Sequence, residues 1–180
     1  LEAAAQTLGN IGIRDFLAVE ALTGLLSNNQ FLPVQSSVIE ALGKVGNYLA
    51  VEPLLLVVED QKRQLRIRVL AVDALRRLGD PRVTMRLISV LKKASVPVFR
   101  EGIIVALGQL RDPRSAPTLV EILNEDNEAI RKRAEEALLL LRPSPIELLI
   151  NALGDRRPLV QQSASHLLTQ IGEPATEQLI

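Results

Sequence analysis

The residues best equipped for chemistry are few. Histidine occurs once, as His166, with Ser163 and Ser165 nearby in sequence. A nucleophilic hydroxyl needs a base to take its proton and an acid to orient that base. Here the periodicity places all three residues on one helix, where successive positions point apart, and no carboxylate is placed to orient the ring. The expectation is a helix histidine without a catalytic role. With one histidine and no cysteine, a zinc site lacks nitrogen and sulfur ligands. No catalytic residue, metal or cofactor is assigned, and the chain is expected not to be an enzyme.

The charged residues are more orderly. Glu20, Glu52, Glu147 and Glu177 recur at one place in a repeating pattern, with Met85 and Pro117 filling that place in two other copies. Residues in successive copies stand about 10 Å apart if helices carry them. That makes a file suited to a basic partner, although the span overlaps the wider carboxylate separation of inverting glycosidases. Residues 1–59 hold 2 basic and 6 acidic side chains, residues 60–114 hold 13 and 5, and residues 115–180 hold 6 and 10. The neutral total thus conceals a basic waist between acidic ends. Much of the waist falls at turns: Arg76, Arg77, Arg82, Arg111 and Arg114, with Arg142 one copy further on. Arg76 and Arg77 complement a helix C-terminus, whereas Arg82 and Arg114 lie just past one and have less local explanation. Aromatic residues make up 2% of the chain, too few to stack nucleic-acid bases. An acidic protein suits the waist better than a nucleic acid, because complementary charge steers and orients such contacts. The candidate partner-binding residues are Arg76, Arg77, Arg82, Arg111 and Arg114, together with Glu20, Glu52 and Glu147.

The elements carrying these residues follow from a repeat. Leu8, Leu42, Leu75, Leu107, Leu138 and Leu168 open similar phrases 34, 33, 32, 31 and 30 residues apart. Four residues before each stands Ala4, Val38, Ala71, Ile103, Ala134 or Ala164, and eight before stand Val34, Ile67, Phe99, Ile130 and Val160. Steps of four, four and three trace one stripe of an α-helix. Gly12, Gly46, Gly79 and Gly172 mark its end, where a left-handed residue closes the last turn. Arg111 and Arg142 replace that glycine in two copies, so those turns are expected to be built differently. Gly9, Gly43 and Gly108, one turn inside the helix, read as sites of close packing between helices. A second stripe then runs Ala18/Leu22/Leu26, Ala50/Leu54/Val58, Val83/Leu87/Leu91, Ser115/Leu119/Leu123, Pro145/Leu149/Leu153 and Ala175/Leu179. Each unit is a pair of antiparallel helices, and units of this length stack to bury a continuous core.

Bulk composition agrees. Hydrophobic residues make up 47% of the chain and charged residues 23%, ample for a packed aliphatic core. No apolar run reaches the roughly 18 residues needed to span a bilayer, and no basic-then-apolar leader is present. Absence of cysteine fits a reducing compartment, so a cytoplasmic location is expected, with no membrane partner. The fold is expected to be all-α over residues 1–180, a single array of about five helix pairs. Both ends read as cut from a longer array, so self-association through the uncapped faces of Leu1–Ile11 and Ala175–Ile180 is expected.

The unit resembles the HEAT-like repeat, in the short variety associated with phycobilisome lyases. The resemblance rests on Ile67-Arg68, Ala71, Ala74-Leu75 and Leu78-Gly79-Asp80, and on Ala50-Val51-Glu52-Pro53-Leu54 with Asp60. It implies an α-solenoid, a right-handed superhelix whose second helices line the concave face. It also implies a structural ladder role for Arg68, Arg100 and Arg131, the arginine one step after the aliphatic residue. Gln35 and Gln161 replace that arginine elsewhere. The repeat serves many functions. A scaffold docking a partner protein is the first expectation. A bilin lyase-type subunit holding a chromophore or phycobiliprotein is the alternative that the resemblance implies, and nucleic-acid binding is a lesser one.

Overall fold

The computed structural model describes residues 16–28 and 31–172. Among these, helices and turns account for all regular structure and no residue lies in a strand. The helices are α1 (Phe16–Asn28), α2 (Leu32–Val45), α3 (Val51–Glu59), α4 (Leu65–Leu78), α5 (Thr84–Lys93), α6 (Pro97–Leu110), α7 (Ala116–Ile122), α8 (Glu128–Leu140), α9 (Ile146–Leu153) and α10 (Pro158–Ile171). Even-numbered helices are the first of each sequence unit and odd-numbered ones the second. None is long and apolar enough to cross a membrane. Ala4, Leu8, Gly9, Ile11, Gly12, the Ala175/Leu179 stripe, Glu177 and the expected uncapped faces lie outside the described residues.

The chain forms two compact units that divide between Arg86 and Leu87, inside α5. In the first, α1 packs on α2, α3 on α4, and α2 on α4. In the second, α6 packs on α8, α7 on α8, α9 on α10, and α8 on α10. Each core is the expected pair of stripes. Val38, Leu42, Ile67, Ala71 and Leu75 are buried in the first unit, and Phe99, Ile103, Leu107, Ile130, Ala134 and Leu138 in the second. One stripe departs from expectation. Leu153 is exposed, because α9 turns Ile146, Leu149 and Ala152 inward instead.

The first helices approach closely where glycine faces alanine. A Cβ placed on Gly43 would lie 3.0 Å from Ala74 Cβ, and one on Gly108 would lie 2.7 Å from Ala137 Cα. These approaches join α2 to α4 and α6 to α8, so the inner glycines set how tightly first helices stack.

Local chemistry fixes the turns. α4 ends at Gly79 with φ +66°, its N–H donating to the Leu75 carbonyl. Arg111 was expected to force a different turn, and does not. It adopts the same left-handed conformation, with φ 55° and its N–H donating to the Gly108 carbonyl. A side chain there costs about 1–2 kcal/mol relative to glycine. At Arg142 the expectation holds: the helix ends on an extended Leu141, and the Arg142–Pro143 peptide is cis. A one-turn 3₁₀ segment precedes α3, α5 and α7, capped by Asn47, Asp80 and Asp112 respectively.

Candidate functional site

The turn cap explains where the arginines of the basic waist go. An Asp or Asn side chain accepts from the backbone N–H two residues on, forming an Asx turn. Asp80 Oδ1 accepts from the Arg82 N–H at 2.9 Å. This curls Arg82 back, so that its guanidinium meets the same carboxylate at 2.5–3.0 Å. Arg114 repeats the arrangement on Asp112, with a backbone bond of 3.0 Å and side-chain bonds of 2.5–3.0 Å. Hydrogen bonding from Arg82 holds the Asp80 carboxyl below its usual range. Arg82 and Arg114 remain 64% and 54% exposed, yet each presents a neutral pair. Arg82 also lies 5.6 Å from the Tyr48 ring centroid, a cation–π contact. A third clamp, Arg157 on Asp155, escaped the sequence reading. Its signal was the same Asp-x-Arg spacing.

Three of the other turn arginines are partnered too. Asp73 sits between Arg76 and Arg77, at 2.5 and 2.6 Å. Arg142 donates to the Leu139 and Leu141 carbonyls. Arg111 is exposed at its strained position. Arg82 and Arg114 are thus each paired with an aspartate of their own turn, while the segment as a whole keeps its surplus of basic residues.

The three arginines expected to form a ladder meet different partners, and only Arg68 reaches the C-terminal carbonyls of a second helix, which lack intrahelical donors. Arg68 Nε donates to the Val58 carbonyl at 2.9 Å, and desolvation lowers its pKa. Arg131 donates to the Glu125 and Asp126 carbonyls at 2.6 and 2.9 Å. Arg100 differs: it forms a bidentate ion pair with the Glu125 carboxylate.

The acidic file is uneven. Glu52 accepts two bonds of 2.7 Å from Arg86, which also grips Glu59 at 2.7 and 2.6 Å. Glu59, then Glu52, hold the Arg86 proton more firmly than usual. Sequence reasoning missed Arg86, which stands 34 residues after Glu52, one repeat and one step onward. Glu20 and Glu147 are exposed, and no described residue pairs with either. Two large apolar side chains stand in solvent on these second helices, Phe16 on α1 and Leu56 on α3, each 58% exposed. A groove of about 420 Å³ runs between α1 and the start of α3, lined by Phe16, Val19, Glu20, Gly24, Leu49 and Pro53 among others.

His166 sits on α10 against Gln170, at 2.9 Å, while Ser163 turns inward to donate to Glu135 at 2.5 Å. Serine and histidine face different partners, as the helix geometry requires. Among the described residues no three of His, Cys, Asp and Glu gather into a metal-holding group.

Comparison with known proteins places these features. Residues 51–139 match the family model described as HEAT repeats. The deoxyhypusine hydroxylase of Candida albicans is 31% identical over 117 residues, 63% of this chain and 36% of that protein. This chain therefore spans about a third of the length of the curated relative it matches. Among solved structures, the complex of CpcE and CpcF of phycocyanin lyase from Nostoc sp. PCC7120 is 25% identical, with a TM-score of 0.63, covering 93% of this chain and 69% of that one. Human deoxyhypusine hydroxylase, 21% identical with a TM-score of 0.53, covers 93% and 77% and shares the fold. These relatives correct one expectation. Read from its lack of a triad or zinc ligands, the chain was expected not to be an enzyme; the curated relative and a structural one are both hydroxylases.

Proposed function

From the premise that this is a chain of HEAT-like repeats, we propose that it docks a partner protein along the outward side of its second helices. The carrying observation is the contrast between two surfaces. The turn arginines Arg82 and Arg114 already hold carboxylates of their own, so the basic edge contributes steering at most. The outward side of α1 and α3 instead leaves Phe16 and Leu56 in solvent, with Glu20 on α1 paired to no described residue. Exposed apolar side chains rimmed by polar ones mark interaction sites. The similarity to a lyase that is itself a complex of two proteins supports docking.

The test is a photo-crosslinking amino acid placed at Leu56 or, as control, at Val98 on the first helix α6, in cells of the source organism. Capture of one protein from Leu56 and not from Val98 is expected. Equal capture from both, or capture from Val98 alone, contradicts the reading.

A second reading has its own support in the 25% identity to the phycocyanin lyase complex. In it the partner is a chromophore-bearing protein or the bilin itself, whose propionates an arginine such as Arg111 would hold. Mixing the protein with a bilin tests this directly. A shifted visible absorption band supports the reading, and an unchanged spectrum ends it.

A further inference from the structure

We infer that the groove between α1 and the start of α3 takes a partner segment in which an apolar side chain lies next to an arginine or lysine. This rests on the docking reading and names the site and its chemistry. The lining is largely apolar, from Phe16, Val19, Leu49 and Pro53, with Thr23 and Ser27 bonded back to carbonyls of α1. Gly24 lies on α1 along the groove, and a Cβ built there meets nothing within 4 Å. The space above that glycine is therefore open, with room for an incoming side chain. A groove of about 420 Å³ is the size that accepts a few residues of a peptide.

Charge selects the neighbour of that side chain. Glu20 lines the groove and no described residue neutralises it. Glu20 is the one charged residue lining the groove, and Arg86 already holds Glu52 and Glu59 on α3. The groove is thus apolar within and acidic at its rim. An acidic segment would meet repulsion from Glu20 with no cation among the described groove residues to offset it, whereas a basic residue beside the buried side chain finds its counter-charge. The occupant is accordingly a cationic, apolar-anchored peptide segment, rather than a second copy of this chain or an acidic protein.

Two substitutions test the site without removing any core contact. Gly24→Leu fills the open space and raises helix propensity, so α1 is retained. Glu20→Arg reverses the rim charge at an exposed position. A random linear peptide library displayed on phage is selected on the purified wild-type protein, and the enriched peptides are then measured by fluorescence anisotropy. The expected consensus pairs Leu, Ile, Phe or Met with Arg or Lys within a few residues. Gly24→Leu should weaken binding at least about tenfold, and Glu20→Arg roughly fivefold at low salt with less effect at high salt. No enrichment, an acidic consensus, or binding unchanged by Gly24→Leu overturns the inference. So does sedimentation showing a wild-type dimer that Gly24→Leu makes monomeric, since a second copy would then fill the groove. If crosslinking from Leu56 captures a protein that Gly24→Leu still binds, the docking reading stands and the groove falls.

Discussion

Replacing Gly108 by alanine would ordinarily stabilise a helix by about 1 kcal/mol. Here the sign should invert. Gly108 lies inside α6, and a Cβ there would stand 2.7 Å from Ala137 Cα and 2.8 Å from Ala137 Cβ, on the facing helix α8. Carbon atoms rest at about 3.5–4.0 Å, so the shortfall is roughly 1 Å. The nearer atom belongs to backbone and cannot swing aside, so α6 and α8 must separate. Overpacking of this kind costs about 1–3 kcal/mol. Set against the propensity gain, Gly108→Ala should destabilise by up to about 2 kcal/mol. Gly102 supplies the control: it lies in the same helix, and an added Cβ meets nothing within 4 Å. Gly102→Ala should therefore stabilise, by up to about 1 kcal/mol. Ala137→Gly added to Gly108→Ala should recover only part of the loss, because the clash with the backbone of residue 137 persists. Urea unfolding followed by circular dichroism reads each of these variants against wild type. If Gly108→Ala and Gly102→Ala shift the midpoint in the same direction, the first helices do not meet at this glycine.

Three other outcomes follow from the packing and the turns. Phe99 is 2% exposed, so Phe99→Ala should cost about 3–5 kcal/mol in the same unfolding assay, and an unchanged midpoint would place it outside the core. Arg111 holds a left-handed backbone at φ 55°, so Arg111→Gly should stabilise by about 1 kcal/mol, while Arg111→Ala should not. Asp80 is held below its ordinary 3.8 chiefly by hydrogen bonding from Arg82. Its contribution is fully present above the unfolded value and lost as pH falls through the lower folded one. Wild type should therefore exceed Asp80→Asn in melting temperature near pH 7, and that margin should shrink in melts at pH about 2.

The stripes were legible in sequence because burial imposes its period on residue type. Steps of four from Ile67 to Ala71 to Leu75 need no tertiary information, and the structure buries all three. The close-packing role of Gly43 and Gly108 was legible for the same reason. What escaped was geometry that residue type conceals. Arg111 in a glycine's conformation contradicts its own propensity, and only the repeat register hints at it. The Asp-x-Arg clamps look like free arginines when the turn arginines are read by themselves; an Asx turn folds each onto the aspartate two residues before it. Arg86 joins Glu52 and Glu59 from the next second helix along the chain, an arrangement set by stacking rather than by local spacing. The groove beside Gly24 exists only because two second helices leave space there, which no single segment encodes.

The central claim is that partners dock on the second-helix side and not on the arginine-bearing turns. Hydrogen exchange on the complex with the protein captured from Leu56, compared with the free chain, tests it most directly. Protection should rise in residues 16–28 and 51–59, with residues 80–82 and 112–114 unchanged. Protection confined to those two turns, with α1 and α3 exchanging as in the free chain, would contradict the account.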